Sequence, residues 1–168
     1  KIVKKGIVIK LNFVLLKGIN SSKESIKDIV DFGIRHGINY IKFLELLVTE
    51  KLKNYYNYYF DVASVKNYFE NEFEELESAP RRVVYSYKGS GMKIELQTCT
   101  CRVGCNKCIS LRDKTVTSEL EFFPCFVLNS KGIDVSNSDK LEEAFNKGDR
   151  DIAEMAKKYR TGSPIIVS

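Results

Sequence analysis

Residues 6–16 (GIVIKLNFVLL) form a near-continuous apolar run, broken by Lys10 and Asn12. A run of this length and make-up predicts a strand buried on both faces, as in a parallel sheet. Ser21-x-x-Glu24 reads as a capping box. It opens a helix that sets Ile26, Ile29, Val30 and Gly33 on one face and ends at His36-Gly37. Residues 37–47 (GINYIKFLELL) predict a second apolar strand. Strand, helix and strand then compose one βαβ unit, right-handed by default. Residues 54–59 (NYYNYY) read as a polar–aromatic loop. A helix is expected over 63–77, with Val65, Tyr68, Phe69, Phe73 and Leu76 as its apolar stripe. Residues 82–87 and 92–98 alternate and meet across Gly89-Ser90-Gly91, the pattern of a β-hairpin. Two short helices are expected at about 140–146 and 149–159, and no internal repeat is visible.

The two lysines inside the apolar runs need an explanation. Strand alternation places Lys10 and Asn12 on one face with Val14, and Ile9, Leu11 and Phe13 on the other. A lysine in the middle of a buried parallel strand is costly unless it meets an anion or a water-filled cavity. Lys42 holds the equivalent place in the second strand. For Lys42, a strand-end position with the ammonium snorkelling to solvent and a ligand contact stand side by side. For Lys10, with apolar neighbours on both sides and Asn12 on its face, a ligand group facing a lumen is the stronger reading. His36 reads as a helix C-cap favoured by the dipole. Arg81, Arg82 and Lys88 read as a solvated face of the hairpin, with phosphate contact as the alternative.

Composition then narrows the class. At 168 residues the chain makes one domain or a little more and is long enough for a core. Hydrophobic content of 43% and charged content of 29% are globular values. No apolar run reaches the length of a membrane span and no signal-peptide pattern opens the chain, so a cytoplasmic protein with no membrane partner is expected. The first residue is Lys rather than Met, which reads as a processed chain or part of a longer one. A net charge of +5 suits an anionic partner, nucleotide or nucleic acid, without choosing between them. One histidine leaves little material for histidine-based metal sites or triads.

The candidate chemistry lies in the cysteines. Cys99, Cys101, Cys105 and Cys108 fall within ten residues, and Cys125 follows in Glu121-Phe-Phe-Pro-Cys125-Phe. Outside a secretory context such crowding reads as ligation rather than disulfide bonding. Cys105-x-x-Cys108 lets two sulfurs converge on one centre, and Cys125 is the expected third ligand arriving from elsewhere in the fold.

Lys10-Leu-Asn12, Lys17-Gly18-Ile19-Asn20 and Lys42-Phe-Leu-Glu45-Leu stand in this order, followed by Cys105-x-x-Cys108-x-x-Leu111-Arg112 and Pro124-Cys125. Together they resemble the MoaA-type radical S-adenosylmethionine (SAM) GTP cyclase family of molybdenum cofactor biosynthesis, from the later part of its barrel onward, over about residues 6–149. The resemblance implies an α/β to α+β chain in two parts. Residues 1–60 would be a partial βαβ remnant of a TIM-like radical SAM barrel, and 61–168 an α+β extension with the cysteine-rich site. Cys105, Cys108 and Cys125 match the ligands of the family's second 4Fe–4S cluster, whose open iron binds the purine, and Cys101 is a candidate fourth ligand. Lys10 matches a lysine that contacts GTP, Arg112 the second of two arginines that do so, and Lys42 the strand arginine. The implied ligand is GTP or another purine nucleotide.

Departures from the pattern accompany the match. Ser110 stands where the family has the first of its arginines, and Lys42 lacks the bidentate fork of the arginine it replaces. Leu47 replaces a methionine that contacts SAM, and the end of the chain lacks the family's diglycine tail. The family's first-cluster motif belongs upstream of residue 1. Cys101-x-x-x-Cys105-x-x-Cys108 has its spacing, but Lys107 stands where that motif has an aromatic and the segment follows a hairpin. The chain is therefore expected to need an upstream half, or a partner chain, to cleave SAM. A homodimer covering the open edge of the first strand is a further expectation. The competing class is a zinc-stabilised four-cysteine module, closed by Cys101, Cys105, Cys108 and Cys125, with a basic surface for nucleic acid. An empty site with free or oxidised cysteines is a third.

Overall fold

The computed structural model describes residues 8–48, 50–69, 72–79, 81–98, 114–125 and 132–158. The chain divides into two compact units, Lys1–Val48 with Leu52–Cys99 and Thr49–Lys51 with Thr100–Ser168. The boundary expected near residue 60 falls inside the first of these.

The first unit begins with the expected βαβ. Strand β1 (Lys10–Leu15), helix α1 (Lys23–Arg35) and strand β2 (Tyr40–Glu45) follow in order. β1 and β2 pair in parallel with Lys10 opposite Tyr40 and Asn12 opposite Lys42. The turn after β1 is locked by Asn20, whose Oδ1 accepts from the Leu16 amide at 2.7 Å while its Nδ2 donates to the Val14 carbonyl at 3.0 Å. Gly18 occupies the left-handed region in this turn at φ +76°, where a side chain is strained. The Lys-Gly-Ile-Asn motif therefore has a local structural meaning.

The cap of α1 is shifted by one residue from the expected box. Ser22 is the N-cap and its Oγ accepts from the Ser25 amide at 3.1 Å. Ser21 is drawn inward, where its carbonyl accepts from the Tyr68 hydroxyl at 3.3 Å. The C-terminus closes as expected at His36-Gly37. The Gly37 amide donates to Ile34 at 3.1 Å, the Ile38 amide to Gly33 at 2.9 Å, and Gly37 sits at φ +68°.

Beyond β2 the sheet departs from a barrel remnant. Strands β3 (Phe73–Ala79), β4 (Arg82–Tyr87) and β5 (Met92–Gln97) complete a mixed five-stranded sheet in the order β1-β2-β5-β4-β3. β5 runs parallel to β2, and β4 and β3 then add antiparallel. The β4–β5 hairpin matches expectation. The helix expected over 63–77 does not form. A 3-10 helix, Val62–Phe69, ends before strand β3. Phe69 and Phe73 still stack, with ring centroids 4.6 Å apart, and Phe73 also meets the Tyr85 ring on β4. The open edge of β4 thus captures a segment whose periodicity suits a helix, while Leu76 is left exposed. β3 is acidic and bulged between Glu75 and Glu77, features that protect an outer strand from further pairing. Residues 54–58 belong to a further 3-10 helix (Glu50–Tyr58) rather than a loop.

One face of the sheet carries the core. Leu15, Ile41, Phe43, Ile94 and Leu96 pack with Ile26 and Val30 of α1 and with Val62, Val65 and Phe69. Gly33 lets the helix approach closely, since a Cβ there would lie 2.8 Å from Ile41 Cδ1.

The second unit contains a small sheet of β6 (Thr115–Val116), β7 (Glu121–Phe123) and β8 (Ile133–Asp134) in that order, and helix α2 (Ser138–Lys158). α2 is continuous where two helices were expected. Gly148 is not a break but a contact point. A Cβ there would lie 2.5 Å from Pro124 Cβ and 3.0 Å from Phe122 Cε1. Gly148→Ala should therefore destabilise the protein by about 1–3 kcal/mol through overpacking against a stiff proline ring, although alanine is the better helix former by about 1 kcal/mol. Thermal melting followed by circular dichroism measures this, and an unchanged or raised midpoint would contradict the close approach.

Candidate functional site

The expected nucleotide lysines are found on the sheet face turned away from α1. On β1 this face carries Lys10, Asn12 and Val14, and on β2 it carries Tyr40, Lys42 and Leu44, as the alternation predicts. On β5 the registered positions are Lys93, Glu95 and Gln97. Glu95 is the centre of the arrangement. Its side chain is buried to 2% exposure although it is charged. Lys10 Nζ lies 3.0 Å from its Oε2, Lys42 Nζ lies 3.0 Å from its Oε1, and the Tyr40 hydroxyl donates to Oε2 at 2.7 Å. Lys10 Nζ also sits 4.2 Å from the centroid of the Tyr40 ring, a cation–π distance.

These contacts set the electrostatics. Burial favours the neutral acid of Glu95, but donation from Tyr40, Lys10 and Lys42 and the charge of Lys42 outweigh it and hold the carboxyl down to about 2. Tyr40 moves the opposite way. Burial, its bond to Glu95 and the carboxylate charge push its hydroxyl up to about 12. The buried carboxylate therefore stays ionised at neutral pH and the phenol stays protonated. Arg82, on the same face of β4, is engaged by Glu77.

β1 is not buried on both faces as expected: Lys10 stands at its first position and Lys10, Asn12 and Val14 are exposed on this face, and the anion that both lysines meet is supplied by the protein itself. Lys10 and Lys42 were legible from the sequence, whereas Glu95 was not. It stands in a hairpin strand far along the chain, and only the β2–β5 pairing sets it opposite Lys42. The one available signal was a glutamate between apolar neighbours in Met92-Lys-Ile-Glu95-Leu. Glu45, three residues from Lys42 in the sequence, lies on the opposite face with Ile41 and Phe43. It is buried and accepts from the Tyr59 hydroxyl at 2.5 Å.

In the second unit, Cys125 follows Pro124 just past β7 and is a half-buried free thiol. Cys99, Cys101, Cys105, Cys108 and Arg112, with Lys107 and Ser110, lie outside the described residues. Among the described residues no group of three or more His, Cys, Asp or Glu is gathered for a metal, and no helix is long and apolar enough to cross a membrane. No protein-family model, curated protein or solved structure matches the chain.

The lowered Glu95 value has a consequence for stability. Its contribution is fully present above the unperturbed value of 4.5 and is lost as pH falls toward about 2. Glu95→Gln should cost about 1.5–3 kcal/mol at neutral pH, because two ammonium groups lose a charged acceptor. The same variant should flatten the acid limb of the stability curve between pH 4.5 and 2. Urea unfolding measured from pH 7 to pH 2 provides both values, and parallel curves for the two proteins would contradict the assignment.

Proposed function

We propose that the chain is the C-terminal, substrate-binding part of a radical SAM enzyme similar to the MoaA-type GTP cyclases of molybdenum cofactor biosynthesis. The observation that carries the reading is the pair of lysines. Lys10 and Lys42 come from adjacent parallel strands, in the two motifs that resemble the family, and present their ammonium groups on one sheet face away from the packed helix. Two ammonium groups against one carboxylate leave one positive charge there, which suits the phosphates of a nucleotide. The Asn20 turn after β1 gives the Lys17-Gly18-Ile19-Asn20 motif a structural role in presenting that strand.

On this reading Cys105, Cys108 and Cys125, with Cys101 as a candidate fourth ligand, hold a 4Fe–4S cluster. Held by the three cysteines alone, such a cluster would have one open iron to act as a Lewis acid toward a purine nitrogen, and Cys101 as a fourth ligand would close it. Arg112, four residues beyond Cys108, contributes a further contact to GTP. SAM is cleaved only with an upstream half or partner chain, which pairs with the outer edge of β1. A second copy of the chain on that edge is the alternative, and the location is cytoplasmic.

Metal content tests the reading directly. Protein purified without oxygen should be brown and carry iron and sulfide in equal amounts, and Cys125→Ser should lose most of both. Colourless protein with a single zinc would favour the four-cysteine module with a nucleic-acid surface. GTP should bind the iron-loaded protein weakly, at roughly millimolar affinity, because Ser110 and Lys42 each lack a guanidinium. Arg112→Ala should weaken that binding several-fold in calorimetric titration, and no change would exclude Arg112 from the pocket.

A further inference from the structure

We propose that Glu95 is a positioning residue that holds Lys10 and Lys42 in a fixed constellation for a phosphate-bearing ligand, rather than a counter-ion that competes with it. The inference rests on the reading of these lysines as ligand groups and adds a residue that neither the strand motifs nor the cysteine site contains.

The geometry separates the two possibilities. The Glu95 side chain is 2% exposed, whereas that of Lys10 is 43% exposed and that of Lys42 is 18% exposed. The carboxylate thus offers no surface of its own to solvent, and the ammonium groups lie outside it. The two lysines use different oxygens, Lys10 the Oε2 and Lys42 the Oε1, so neither displaces the other. Tyr40 fixes the arrangement twice, by donating to Oε2 and by placing its ring under Lys10. Each ammonium carries three donors, and its bond to Glu95 uses one of them. An oxyanion meeting the remaining donors encounters long side chains whose rotamer freedom is already lost, so it does not bear that cost on binding.

Competition and positioning by Glu95 give opposite responses to mutation. Glu95→Gln raises the positive charge of the face by one and should tighten anion binding if Glu95 only competes. If Glu95 positions the lysines, binding weakens in spite of the added charge, by roughly tenfold for the freedom regained by long side chains. The full 168-residue chain, labelled with nitrogen-15 at lysine and assigned with Lys10→Ala and Lys42→Ala, is titrated with inorganic triphosphate and read by NMR. In the free wild type the two ammonium signals should be protected from exchange, and in Glu95→Gln they should broaden or vanish. Triphosphate should shift both signals in the wild type, with about tenfold weaker affinity in Glu95→Gln.

Tyr40→Phe keeps the carboxylate and both ion pairs, and it should weaken binding in the same direction by a smaller factor. It carries the test if Glu95→Gln fails to fold, and binding by Tyr40→Phe as tight as wild type would then count against positioning. Affinity unchanged or raised in Glu95→Gln overturns the role of Glu95 while leaving the lysines as ligand groups. Lysine signals that ignore triphosphate in the wild type remove the ligand role of this face, and the inference with it. An iron–sulfur content measured on the same sample would leave the cluster part of the proposed function standing.

Discussion

A charged carboxylate buried at the middle of a sheet is stable only if its lost hydration is replaced in full. Glu95 meets that condition through donors from two other strands, Lys10 on β1 and both Tyr40 and Lys42 on β2. The requirement is cooperative, since removing any one donor leaves the others facing an under-satisfied anion. It also joins distant parts of the chain. The βαβ unit ends at β2, and the β4–β5 hairpin begins some way beyond it. The pairing of β2 with β5 fuses them, and the Glu95 cluster is the polar fastening along that seam.

The sheet separates packing from chemistry by its two-residue period. Ile41 and Phe43 alternate with Tyr40 and Lys42, and Ile94 and Leu96 alternate with Glu95. Helix α1 and the Val62–Phe69 segment cover the apolar side and leave the other side to polar groups. Substitutions on one side thus act mainly through volume and those on the other mainly through charge. Glu45 illustrates the division. It is three residues from Lys42, yet it falls on the core side and takes its hydrogen bond from Tyr59.

The five-stranded sheet is open and mixed, with β1 and β3 outermost among the described residues. A barrel built only from parallel strands would continue β2 with another βαβ unit. Here the next neighbour of β2 is a hairpin strand, and the sheet turns antiparallel from there. On one side of β2 the neighbour is thus a strand that carries its own carboxylate to the lysines. The proposed nucleotide site would therefore be shaped by the hairpin as much as by the strand motifs.

The local sequence determined the elements whose signals are local. The apolar runs gave β1 and β2, and the alternation about Gly89-Ser90-Gly91 gave the hairpin. Gly37 closed α1 because the left-handed turn there strains any other residue. The same alternation put Lys10, Asn12 and Lys42 on one face. Tertiary structure decided what depends on partners distant in sequence. Segment 73–77 has helical periodicity, yet it becomes a strand because the β4 edge offers hydrogen bonds and a Tyr85 ring for Phe73. Gly148 looks like a break between helices, yet it stays helical because Pro124 packs where a side chain would be. The partner of Lys10 and Lys42 is Glu95, not the nearby Glu45, because face and register set the contact and sequence distance does not.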